Sequence, residues 1–98
     1  MKGDIVSVNA PSEAYEGQEV HIYVTSRVTP ATSGVKHTVW YELWEGDKLI
    51  DQTSRRVYYP TKEYTVVGDL VFKMPNRDVT LTVKLMGLEE FPGGYVPV

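Results

Sequence analysis

Asp78-Val79-Thr80-Leu81-Thr82-Val83-Lys84-Leu85 alternates without a break. Val79, Leu81, Val83 and Leu85 fall on one side, and Thr80, Thr82 and Lys84 on the other. Glu19-Val20-His21-Ile22-Tyr23-Val24-Thr25 repeats the pattern with Val20, Ile22 and Val24. A period of two marks a strand with one dry face and one wet face. Sheets built this way are antiparallel and pack one face on a core. The reading is therefore an all-β protein, an antiparallel β-sandwich.

The bulk composition agrees. The chain has 98 residues, the size of one sandwich domain. Val, Ile and Thr supply 27 of them and Ala only 3, which suits a pleated surface better than a helix. There is no Cys, so disulfides, thiolate catalysis and Cys-based zinc sites are excluded. The net charge is −3, and Arg55-Arg56 is the one basic pair. No positive stripe exists to follow a phosphate backbone, so nucleic acid is not an expected partner. Met1-Lys2-Gly3-Asp4 is not followed by an apolar run of secretory length. No stretch approaches the ~20 apolar residues of a membrane span, so membrane insertion is not expected. A complete small protein and a domain of a larger secreted one both remain open.

Turn residues divide the chain into about seven short strands. The first covers residues 4–9 and stops at Pro11, since proline cannot donate to a ladder. The second runs over 19–27, and residues 29–34 form a loop that bridges sheets. The third covers 37–44, and Glu45-Gly46-Asp47 turns it back into residues 48–53. A two-residue Gly46-Asp47 turn would set Glu42 against Asp51; a three-residue turn pairs Leu43 with Leu49 and is preferred. Residues 55–59 form a short strand ending at Pro60. Residues 63–73 form another, with a bulge or bend expected at Gly68-Asp69. The last strand is expected over 79–85. The domain is read as residues 1–87, followed by a flexible tail or short edge strand over 88–98. That tail is expected to matter little for folding unless it pairs with an edge or covers the Trp residues.

Three stretches carry a resemblance. Gly17-Gln18-Glu19-Val20, leading into Val20-x-Ile22-x-Val24, resembles the opening of CARDB-type and related immunoglobulin-like modules of prokaryotic surface proteins. Val39-x-Tyr41-x-Leu43-x-x-Gly46-x-x-Leu49 is similar to their next hairpin. Phe72-x-Met74-Pro75-x-x-Asp78-Val79-Thr80-Leu81-Thr82-Val83 is similar to the ending of bacterial surface repeat modules. Arg27-Val28-Thr29-Pro30 departs from the usual Asn-x-Gly, and the Asn-rich ending of CARDB modules is absent. The resemblance implies an immunoglobulin-like sandwich acting as a spacer, adhesion unit or scaffold part on a cell surface or virion. Its motifs build strands and turns and name no site.

Catalytic chemistry finds no support in the residues. There is no Gly-x-Ser-x-Gly, no Cys and no organised acid–base pair, so the chain is read as a non-enzyme that needs no cofactor. His21 and His37, the only histidines, are placed on outward faces and not at a metal. Glu42, Glu45, Asp47 and Asp51 gather at one hairpin, but their spacing fits no calcium loop. Tyr58, Tyr59 and Tyr64 flank Pro60 and are read as lids on the core.

Trp40 and Trp44 are the candidate binding residues. They lie opposite the Val39, Tyr41 and Leu43 face, about 13 Å apart along the strand. Exposed there, two indoles would form a platform for a protein or for sugar rings. The alternative places one or both under cover or in the core. The expected function is a structural or adhesive module that makes protein–protein or self contacts. A carbohydrate-binding module using the Trp face is the alternative, and a regulator acting through the loop at 29–34 is a third reading.

Overall fold

A computed structural model describes residues 1–91 and 94–97, with side chains described over 1–90. The chain is all-β. Its strands are β1 (Lys2–Asn9), β2 (Glu19–Thr29), β3 (His37–Glu45), β4 (Lys48–Gln52), β5 (Arg56–Tyr58), β6 (Tyr64–Lys73), β7 (Thr82–Phe91) and β8 (Gly94–Pro97). They form two antiparallel sheets. One has the order β1-β2-β6; the other has the order β4-β3-β7-β8, with β5 also paired to β3. The sheets pack as a β-sandwich, and the 29–34 loop carries the chain from the first to the second.

Alternation sets the core. On β2, Val20, Ile22, Val24, Ser26 and Val28 are buried while Glu19, Tyr23 and Arg27 are exposed. Val28 keeps the inward phase, which carries the strand past Arg27 to Thr29. On β3, His37, Val39, Tyr41 and Leu43 are buried, and Val66 and Leu70 on β6 complete the centre. Val79, Leu81 and Val83, also expected there, are only half-buried.

Several expectations need correction. The β3–β4 turn has two residues, Gly46 and Asp47, with Glu45 opposite Lys48 and Trp44 opposite Leu49. Gly46 has φ +58°, the conformation a hairpin turn with Gly first demands. A bulge then shifts the register, so Glu42 faces Gln52 and Leu43 faces Asp51. The expected Glu42–Asp51 repulsion is removed by the bulge, not by a longer turn. Gly68 sits in an unbroken ladder opposite Val24 and makes no bulge. It is small because the Tyr41 ring lies over it: a Cβ there would be 2.3 Å from Tyr41 Cδ2.

The strand expected from Val79 begins only at Thr82. Its neighbour β3 turns away after Glu45, so residues 79–81 alternate correctly but have no ladder partner among the described residues. At the other end, β7 continues through residue 91 and pairs with β8, a short strand at the end of the sheet order.

These placements predict unequal costs in two leucines. Leu43→Ala should lose about 2–5 kcal/mol, since a fully buried side chain leaves a cavity. Leu81→Ala should cost clearly less in the same urea titration, because its surroundings are already open to solvent.

Candidate interaction surfaces

Trp40 and Trp44 share the outer face of the β4-β3-β7-β8 sheet with Glu42. A buried indole needs an acceptor for its N–H, and here one carboxylate serves both. Trp40 Nε1 donates to Glu42 Oε2 at 2.9 Å, and Trp44 Nε1 to Glu42 Oε1 at 3.0 Å. Arg55 places its guanidinium 4.0 Å from the Trp40 ring centroid. Lys84, opposite Glu42 on β7, places its ammonium 4.8 Å from the Trp44 ring. Cations over the ring faces are attracted by the π quadrupole. Trp40 is 7% exposed and Trp44 half-buried. The structure thus brings the two indoles together on the outer face, under a cover of long cationic side chains. Glu42→Ala should free both indole N–H groups at a cost of about 1–3 kcal/mol. Tryptophan fluorescence would report the change.

His37 is not on an outward face. It has the same parity as Val39, Tyr41 and Leu43, a signal already present in the sequence, and is fully buried. Its Nε2 donates to Glu89 Oε1 at 2.6 Å, and its Nδ1 lies 2.7 Å from the Tyr64 hydroxyl. Glu89, also fully buried, accepts from Ala31 N–H at 3.0 Å, and the Met1 amino group lies 3.1 Å from its other oxygen. Burial pushes the Glu89 carboxyl up, but the hydrogen bonds from His37, the Met1 amino group and Ala31 hold it below the usual carboxylate range. Tyr64 packs against Tyr58 with ring centroids 4.9 Å apart, and burial raises its hydroxyl well above its ordinary value. The order Tyr64–His37–Glu89 has the look of a proton relay. Neither groove described below is lined by any of the three, so the cluster is a satisfied polar plug within the sandwich.

His21 does face outward, with Nδ1 3.1 Å from Asp69 and Nε2 3.2 Å from Glu19. The hydrogen bond to Asp69 raises its pKa. The hairpin carboxylates serve protein donors: Glu45 takes the Arg77 guanidinium at 2.5 and 2.9 Å, and Asp51 Oδ2 accepts from Val71 N–H at 2.8 Å. Among the described residues, no group of three His, Asp or Glu is arranged to hold a metal ion. No helix among them is long and apolar enough to cross a membrane.

The surface that sequence reading missed lies at one end of the sandwich. Residues 75–81 cross from β6 to β7 as an unpaired strap, pinned through Arg77 to Glu45. Val79 and Leu81 wall a groove on each side of it. The larger groove, about 870 Å³, lies between residues 10–15 and residues 78–83, with Val20 and Ile22 at its floor. Val8 pairs with Val24 and so points to the core side of β1, yet it is 50% exposed into this groove. Core-facing apolar side chains are therefore left half covered where a further strand would lie.

No protein-family model, curated protein or solved structure matches this chain. The functional reading rests on these surfaces.

Proposed function

We propose that this chain is an immunoglobulin-like, non-enzymatic module that makes protein–protein contacts, in a structural or adhesive role of the kind surface or virion assemblies use. One observation carries the reading: the half-covered core wall of Val8, Val79, Leu81 and Val83 opens beside main chain that no strand pairs among the described residues. Uncovered apolar surface next to an open ladder favours another polypeptide. The Trp40/Trp44 face gives less support to sugar binding, because both ring N–H groups and one face of each ring are already engaged within the chain.

Parallel binding to an array of extended peptides and an array of polysaccharides tests this. Retention on peptides, weakened by Val8→Lys and indifferent to Trp44→Ala, is the expected result. Retention on polysaccharides that Trp44→Ala abolishes would replace this reading with the carbohydrate one.

A further inference from the structure

The register of β8 shows where a strand is missing. Leu88 faces Pro97 and Phe91 faces Gly94, so β8 lies along only the far end of β7. On the side away from β3, residues 82–87 pair with no strand among the described residues. Six residues of open edge span about 20 Å. Their inward side chains include Val83 and Leu85, and the groove with Val8 adjoins them.

Both edges of the β1-β2-β6 sheet are guarded. On β6, Arg56 donates to the Val67 carbonyl at 2.9 Å and Asp51 accepts from Val71 N–H, so two groups of that edge are taken. The β1 edge carries Lys2, Asp4 and a register shift between Ile5 and Ser7. Charges and bulges of this kind discourage strand pairing. The open stretch of β7 instead borders uncovered core.

The charge at the groove narrows the occupant. Glu13 and Asp78 are the charged side chains that line it, and neither has an ion-pair or hydrogen-bond partner among the described residues. Asp78 lies four residues before Thr82, where the open edge begins, and Glu13 lies on the facing wall. A strand that continued the line of β8, antiparallel to β7, would bring its C-terminal end to them.

We propose that residues 82–87 of β7 accept an extended strand from a protein partner, antiparallel to β7, apolar at the positions facing Val83 and Leu85 and cationic at its C-terminal end. The proposal rests on the protein-contact reading above and specifies its site and chemistry. Main-chain hydrogen bonds would supply affinity, and alternate side chains entering the groove would supply selectivity.

The test uses the full chain, isotope-labelled, and the synthetic peptide acetyl-Thr-Val-Thr-Val-Thr-Lys-Lys-amide. The same peptide is also fused beyond Val98 through a Gly-Ser linker, which brings it to an effective concentration in the millimolar range. Amide signals of residues 82–87 should move, and the alternate amides not held by β3 should gain protection from hydrogen exchange. Replacing both lysines of the peptide by glutamate, or making Glu13→Lys with Asp78→Lys, should weaken binding about threefold to tenfold. Unmoved signals at 82–87 with the fused peptide overturn the proposal. So does equal affinity for the lysine and glutamate peptides, or sedimentation showing the groove closed by a second copy of the chain. Peptide shifts confined to β1 or the Trp face would overturn this site and leave the protein-contact reading standing. Failure of every peptide, with retention on polysaccharide, would remove both.

Discussion

Gly68→Ala is expected to destabilise the sandwich by about 3 kcal/mol, the upper end of ordinary overpacking. The added methyl would lie 2.3 Å from Tyr41 Cδ2, 2.7 Å from Cε2 and 3.4 Å from Thr53 Cγ2. The ring has little room to retreat. Tyr41 is 1% exposed, its hydroxyl donates to the Val66 carbonyl at 2.9 Å, and it lies 2.7 Å from Ser26 Oγ. Moving the ring would give up its buried hydrogen bonds to Ser26 and the Val66 carbonyl, so the steric cost and the polar cost arrive together. Tyr41→Leu alone should also destabilise, but the double variant should cost less than the sum of the two. That coupling, read by a double-mutant cycle in urea, is the signature of contact. Additive losses would mean that Tyr41 does not rest on Gly68.

Glu89→Ala should lose about 3–5 kcal/mol, because it leaves His37 Nε2 buried without an acceptor and takes from Ala31 N–H and the Met1 amino group their partner. Glu89→Gln, which keeps the shape and one carbonyl acceptor, should lose less. The pH dependence follows from the sign of the shift. The folded pKa lies below the ordinary 4.5, so the folded state holds the carboxylate more tightly than the unfolded chain does. The stabilisation is present in full above the ordinary value and is lost as pH falls through the folded one. The wild type should therefore lose stability steeply on acidification below about pH 4.5, and Glu89→Gln should show a flatter acid limb. Parallel limbs for the two proteins would show that Glu89 is not held as a carboxylate.

The sandwich was legible because alternation is a local signal. Val20, Ile22 and Val24 declare their face within a few residues, and turn residues mark most of the strand ends. What was not legible depends on partners far along the chain. Val79 and Leu81 alternate perfectly, yet a strand needs a ladder, and β3 ends before it reaches them. Gly68 reads as a bulge until the Tyr41 ring, 27 positions earlier, is placed above it. His37 was misplaced although its parity was in plain view, because polar residues are expected outside. Its partner Glu89 sat in a segment read as tail. Of the candidate binding residues, Trp40 and Trp44 lie on the face that parity assigns. Their cover by Arg55, just before β5, and by Lys84 on β7 comes from sequence outside β3 and has no local sign. The groove had none either, since an open seam is an absence of neighbours and not a motif.

The join between His37 and Glu89 spans 52 positions, and this orders events on the ribosome. After His37 has been made, about 3–10 s of synthesis pass before Glu89 exists, at typical rates. During that interval β3 can pair with β4 but not with β7. Its core face holds Val39, Tyr41 and Leu43 beside a histidine that still lacks its hydrogen-bond acceptor. A nascent chain in that condition is a substrate for holdase chaperones. Docking of β7 then completes the ladder and the buried His37–Glu89 hydrogen bond in one late step. Pausing the ribosome between β6 and β7 should lengthen the vulnerable interval, whereas a pause after β7 has emerged should have little effect.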